Sequence, residues 1–403
     1  MPDDGLMRGK HWIEPCMPRE EGWTEPMKLG VERMIRASER LSVLVGSHTR
    51  AELGRLLQIT NSYYTNLIEG QHTEPADLAE RRSARNNERL WELGVEHMVV
   101  QGEFEQRLAE QRPVWAEMFS QPLIVALHRE LFAQAADNDL TLADGFVMVP
   151  GDLRSVSGRE VVVGRHRAPA SDTIESMLAR LVEAYGRYPD TTHRLIAAMA
   201  CHHRLAFIHP FPDGNGRVAR LCTHLHLQYL DLASPLWSLS RGLAKRQSDY
   251  LRLLAAADAP RKGDLDGRGQ LSESALCEFI EFMIDVSLDQ MSYVESALAM
   301  ETLGESIERA IAYADQFRKA GVKAECAQPL QVLFERGEME RAVFKRFTGM
   351  GDRLATQQLS ALISCGVVEA PTPKSRTIYA GVPLWYAEHL FPQLHRRFRE
   401  SLN

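Results

Sequence analysis

Apolar residues recur at three- and four-residue intervals through most of this chain, a period that predicts a mainly α fold. Val31–Leu44 is amphipathic on that spacing, and Arg50–Ile68 reads as a second helix with Gly70 placed to cap its C-terminus. A charged stretch, Ala79–Leu108, keeps apolar residues at wider helical intervals, and Pro122–Ala136 opens on a proline and runs strongly apolar. Helices are expected again over Thr173–Tyr185 and His193–Ile208, from near Gly216 onward, and over Arg246–Ala257 and Ser274–Leu303.

The period changes in two places. Between Gly151 and Pro169, glycines at 151, 158 and 164 surround the β-branched run Val161–Val163, which predicts a β-hairpin. Beyond a composition change near Lys319–Pro329, a short helix (Leu330–Arg336) is followed by Gly337 and a second helix (Met339–Phe347). A turn and a third helix (Arg353–Ser364) come next, and then two strand-like pieces, Val367–Glu369 and Thr377–Ala380, flanking the turn Pro371–Ser375. This order over residues 325–390 is that of a winged helix-turn-helix.

Composition narrows the class without naming it. With 44% hydrophobic and 25% charged residues over 403 positions, the chain has the make-up of a soluble globular protein of two or three domains. Its net charge of −7 gives no overall attraction to nucleic acid or anionic membrane. Residues 301–403 carry 14 Lys and Arg against 12 Asp and Glu, so the C-terminal quarter is slightly basic on an acidic molecule. The six cysteines are scattered with no CxxC pair, as reduced core thiols are. The N-terminal MPDDGLMRGK has no signal-peptide core, and no apolar run approaches membrane-spanning length, so a cytoplasmic protein with no membrane partner is expected.

Residues His209–Arg220, HPFPDGNGRVAR, gather the groups that phosphate chemistry uses. His209 has an ordinary pKa near 6.5 and suits proton abstraction from a hydroxyl at neutral pH. Asp213 is a hard oxygen ligand of the kind that holds Mg²⁺ still carrying waters and phosphate oxygens. Gly214, Asn215 and Gly216 lie where backbone N–H groups at a helix start hold an anion. Arg217 and Arg220, at i and i+3, share a helix face and clamp further oxygens. The set describes nucleotidyl or phosphoryl transfer.

The dozen resembles the signature of the Fic family, HPFx[DE]GNGRxxR, at every specified position. The resemblance implies a Fic-type helical bundle with a β-hairpin flap, here followed by the winged helix-turn-helix, and a protein adenylyltransferase moving AMP from ATP to a Ser, Thr or Tyr hydroxyl. It implies His209 as the base, Asp213 as the Mg²⁺ ligand, and Asn215 with the backbone of Gly214 and Gly216 on phosphate oxygens. Arg217 would then support the β-phosphate and Arg220 the γ-phosphate, with Phe211 as the motif's apolar anchor. The hairpin around Val161, Val162, Val163 and Gly164 is similar to the family's flap, which holds a target segment by strand addition. SDYL at 248–251, GDLDGRGQLS and LCEFIEFMI look like its downstream helices, so the resemblance spans roughly 120–300; Tyr250, at helical spacing among leucines, reads as core or, on the resemblance, as lining the adenine pocket. The expected domains are a helical region over 1–115, a catalytic domain over 116–305 and the winged-helix-like domain over 325–390.

Thr65–Gly70 (TNLIEG) matches the family's inhibitory pattern [ST]xxxE[GN], on a helix at about 50–70. Thr65 and Glu69, at i and i+4, face the same way, and a Glu69–Arg220 pair would take the γ-phosphate's partner away. Such a pair biases binding by about 1.5–3 kcal/mol, roughly tenfold to a hundredfold. His202 and His203 show no metal-ligand spacing with His209, and His224 and His226 read as structural or exposed. In the C-terminal module Arg353, Thr356 and Gln357 would face a major groove, with Lys374 and Arg376 on phosphate; protein docking or a homodimer fits the same module equally. A DNA-binding regulator with the Fic core as nucleotide sensor, a de-AMPylating enzyme and another nucleotide donor stay open beside AMPylation.

Overall fold

The computed structural model describes residues 6–71, 75–80, 88–233 and 236–395. Residues 81–87 of the expected Ala79–Leu108 helix lie outside that set. Helices α1 (Glu25–Ser42), α2 (Ser47–Ile68), α3 (Pro75–Glu80), α4 (Glu88–Gln111), α5 (Gln121–Leu131), α6 (Asp137–Leu140) and α7 (Arg154–Ser157) precede a hairpin of β1 (Val162–Val163) and β2 (His166–Arg167). Helices α8 (Ile174–Tyr185), α9 (Thr191–Ile208), α10 (Asn215–Tyr229), α11 (Leu239–Lys245), α12 (Gln247–Ala256) and α13 (Glu273–Leu298) follow. The remainder is α14 (Met300–Tyr313), α15 (Asp315–Ala320), α16 (Ala327–Arg336), β3 (Glu338–Glu340), α17 (Arg341–Phe347), α18 (Asp352–Ser364), β4 (Val368–Glu369), β5 (Thr377–Ala380) and α19 (Leu384–Leu390). None of the described helices is long and apolar enough to cross a membrane.

By their contacts the residues form two compact units: Met1–Arg36, Asn61–Ala233 and Ser238–Asp289 in the first, and Ala37–Thr60, Ser234–Trp237 and Gln290–Asn403 in the second. The first unit is built around α9 and α10, packed side by side. Both are buried nearly all round, which explains why α9 lacks a clear polar stripe. Asp190 caps α9 by accepting from the His193 N–H at 3.0 Å, and Ala197, Ala198, Ala200 and Cys201 are small enough to admit a close neighbour. Helices α4 and α5 cover α10, and α8 covers α9. The hairpin expected over Gly151–Pro169 shrinks to two-residue strands, because Arg154–Ser157 forms α7 and Gly158, at φ 65°, ends it. Val161 stays in the ladder by accepting from the Ala168 N–H at 3.1 Å, and Gly164 turns the chain at φ 59°.

In the second unit α14 packs on α16 and α19, and a three-stranded antiparallel sheet runs in the order β3-β5-β4. Met339 does not begin a helix as its sequence suggested: it is the buried centre of β3, between exposed Glu338 and Glu340, paired with Ile378. Three residues are too few to show a two-residue period. The expected helix Ser274–Leu303 also breaks, since Ala299 leaves the helical region at ψ 135° and α14 starts anew at Met300. Gly46 is required by close approach, because a Cβ there would lie 1.9 Å from the Arg336 carbonyl oxygen.

Candidate active site

The loop His209–Gly214 joins α9 to α10, and its shape is fixed largely by side chains outside it. His209 caps α9 in the left-handed region at φ 51°, a conformation costing a non-glycine residue about 1 kcal/mol. Arg154 holds it there. Fully buried on α7, its guanidinium donates to the carbonyls of His209 at 2.6 Å, Arg159 at 2.9 Å, Pro169 at 2.9 Å and Ile208 at 3.1 Å. Its backbone N–H adds a bond to the Pro210 carbonyl at 2.8 Å.

Farther along, Phe211 is fully buried and stacks on His128, with ring centroids 3.9 Å apart. His128 accepts from the Gly151 N–H at Nδ1 (2.9 Å), so its neutral ring carries the proton on Nε2 and donates to the Asp213 carbonyl at 3.1 Å. Burial pushes the His128 pKa down to about 3, which keeps that tautomer in place. Asn215 closes the loop from the other side: its Oδ1 accepts from the Phe211 N–H at 2.9 Å and its Nδ2 donates to the Phe211 carbonyl at 2.8 Å. The Asn215 amide is thus engaged with the loop backbone. Gly214, at φ 79°, has no room for a side chain, because a Cβ would meet the Phe132 ring at 2.5 Å.

The electrostatics of the loop suit a base beside an anion. Burial, then His166 and Arg154, push the His209 pKa down to about 4, so the ring is neutral near pH 7. The nearby Ala206 carbonyl offsets only part of this, and a neutral imidazole has one nitrogen able to accept. Asp213 stands half-exposed, its Oδ2 3.7 Å from Arg217. Helix α10 starts at Asn215 with no side-chain cap on its first N–H groups, the usual place for an anion. Arg217 is buried with its guanidinium 4.7 Å from the Phe132 ring centroid, and its Nε–H has no partner. An orphaned buried cationic donor beside a helix N-terminus fits phosphate.

Arg220 is held, not free. Its Nε donates to the Thr65 hydroxyl at 2.6 Å, and its Nη2 donates to the Thr65 carbonyl at 3.2 Å and to Glu69 Oε1 at 2.5 Å. Burial alone would raise the Glu69 pKa, but the Arg220 charge and hydrogen bond outweigh it and the carboxyl sits below its ordinary value. Gly216 permits this approach, since a Cβ there would fall 2.3 Å from Glu69 Oε1. The Tyr250 hydroxyl lies 2.8 Å from His202 Nε2, while His202 Nδ1 lies 2.7 Å from the Thr223 hydroxyl. The polar end of Tyr250 therefore faces this buried polar cluster beside Arg220.

On the hairpin, Val162 and Val163 are exposed, while His166 faces back. Its Nδ1 lies 2.9 Å from Asp258 and its Nε2 2.9 Å from the Phe207 carbonyl. Asp258 also meets His203 at 3.1 Å. His224 pairs with Glu105 at 2.7 Å and His226 with the Met118 carbonyl at 2.8 Å, so both are structural. Arg154, His128, His166 and Asp258 escaped the sequence reading because each lies far from the motif in the chain and in no recognisable spacing. In the C-terminal unit Arg353, Thr356, Gln357, Lys374 and Arg376 are all exposed, with Arg376 3.1 Å from Glu340.

Residues 118–227 match the Fic/DOC family. A Fido domain-containing protein of Dictyostelium discoideum is 30% identical over 116 residues, covering 28% of this chain and 76% of that protein. This chain belongs to the Fic family. It is also 36% identical over 63 residues to a protein adenylyltransferase Fic of Nematostella vectensis, a match spanning 15% of each. The fold is that of a Fic family protein from Desulfovibrio desulfuricans, with a TM-score of 0.53 at 20% identity over 89% of this chain and 96% of the other. The Fic assignment rests on the central helices and their loop, where the site described above lies.

Proposed function

We propose that this Fic protein is a protein adenylyltransferase. The observation that carries the reading is a buried, neutral His209 at the end of α9, directly before an uncapped helix N-terminus that presents buried Arg217 with an unpaired donor. A Ser, Thr or Tyr hydroxyl of a target protein gives its proton to the free nitrogen of His209. Its oxygen forms a bond to the α-phosphorus of ATP as the bond to the bridging β-phosphate oxygen breaks, and pyrophosphate leaves. Backbone N–H groups at Gly214, Asn215 and Gly216 and the Arg217 guanidinium stabilise the growing charge. Asp213, half-exposed and bonded to no short partner, suits one carboxylate of a Mg²⁺ site; the ion would offset phosphate charge. Arg154, His128 and Asn215 hold the loop in this shape.

The same reading makes Glu69 a brake. Arg220 is the cation suited to the γ-phosphate, and Glu69 with Thr65 occupies it. The hairpin, with Val161 to Gly164 along its edge, presents backbone and two exposed valines to an extended target segment. The regulator reading draws less support, because the wing cation Arg376 is paired with Glu340 and Lys345 with Asp352. Mass spectrometry of cell lysate incubated with the Glu69→Gly protein, ATP and Mg²⁺ tests the proposal. AMP adducts on Ser, Thr or Tyr that vanish with His209→Asn are expected; phosphate adducts, or none, would overturn it.

A further inference from the structure

Among the described residues, one group of His, Asp, Glu and Cys side chains is close enough to share an ion, and its members all belong to the second unit. His48 and Glu52 occupy i and i+4 at the start of α2, so they project from one face. Glu369 ends β4 and pairs with Tyr379 across the sheet, and the Tyr379 ring in turn packs against His48 with centroids 4.7 Å apart. The strand pair thus sets both the carboxylate and the imidazole. One ligand atom from each of the three residues lies within 4.8 Å of the others.

Two deficits mark the cluster. His48 Nε2 is buried with no hydrogen-bond partner, 3.7 Å from Glu369 Oε2. Glu52 is nine-tenths buried with its carboxylate beside that of Glu369, and Arg55, its partner, is mostly exposed. A dication removes both, bonding the orphaned nitrogen and neutralising the facing carboxylates. We propose that His48, Glu52 and Glu369 form a binding site for a divalent transition metal of the zinc class. One imidazole with two carboxylates favours such an ion over Mg²⁺ or Ca²⁺, which take oxygen ligands.

The test is titration of the metal-stripped full chain with Zn²⁺ by calorimetry, and with Co²⁺ by visible absorption, in excess Mg²⁺ to keep Asp213 out of the signal. One ion per chain is expected, with a d–d band and a raised melting temperature. His48→Ala and the more exposed Glu369→Gln should each lower the affinity by more than the ~10–100-fold lost when a group behind a ligand is removed. Melting without metal shows that each variant is folded. Lack of stoichiometric binding, or unchanged affinity in the Glu369→Gln protein, would overturn the proposal and leave His48 and Glu369 a simple ion pair.

Discussion

Replacing Glu69 with glycine removes the carboxylate that holds Arg220 and little else. Glu69 lies just past the last residue of α2, so the exchange costs no helix propensity within it. A charge-assisted hydrogen bond of this kind is worth about 1.5–3 kcal/mol. The Arg220 side chain is 2% exposed but that of Glu69 is 34% exposed, so solvent screening trims the value to about 1–2 kcal/mol. That corresponds to roughly fivefold to thirtyfold in the fraction of sites with Arg220 free for the γ-phosphate. The assay is the initial rate of AMP incorporation into the chain itself, from ATP labelled at the α-phosphate and below saturation. Glu69→Gln, which keeps an acceptor and loses the charge, should fall between wild type and glycine. Adding Arg220→Ala to Glu69→Gly should cancel the gain. A folded Glu69→Gly protein with the wild-type rate would refute the reasoning, and so would one in which the gain survives loss of Arg220.

Gly214→Ala should destabilise the protein by about 1–3 kcal/mol, from a strained φ of 79° and a Cβ pressed on Phe132, read as a lower urea midpoint with reduced transfer. Arg154→Met leaves the His209, Arg159, Pro169 and Ile208 carbonyls without their donor and should cost more than about 3 kcal/mol in the same measurement. Acid should destabilise the fold through its buried neutral histidines. Burial holds His97, His128 and His202 at about 3 and His209 at about 4, whereas an unfolded histidine titrates near 6.5. The unfolded chain therefore binds more protons, and stability present above about 6.5 is lost as pH falls through about 4, by up to about 2 kcal/mol per ring at pH about 5. Equal urea midpoints at pH about 7 and about 5 would contradict this.

The helical architecture was legible because its period runs through amphipathic segments such as α8 and α12. Elements too short to show a period were not: β3 has three residues, and α7 interrupts what reads as hairpin. The gathering of His209–Arg220 at one loop and helix start was legible because the groups are adjacent in sequence, and the Thr65–Glu69–Arg220 contact because two motifs bracket it. What shapes the loop was hidden. Arg154 and His128 reach it from other elements, and nothing near either in sequence distinguishes a buried polar side chain from a surface one. The Asn215 amide, for instance, bonds the Phe211 backbone and so shapes the loop, a role that no spacing in the motif announces. Tyr250, read either as core or as lining an adenine pocket, is buried with its hydroxyl 2.8 Å from His202 Nε2.

The claim that His209 is the base of a nucleotidyl transfer is tested most directly in the Glu69→Gly background, where the proposed brake is absent. His209→Asn suits the measurement, because Asn tolerates the left-handed backbone this position requires. Label from the α-phosphate of ATP should appear on protein in the Glu69→Gly chain and fall by at least ~10²-fold in the double variant, with ATP still bound. Equal labelling by the two proteins would contradict the account.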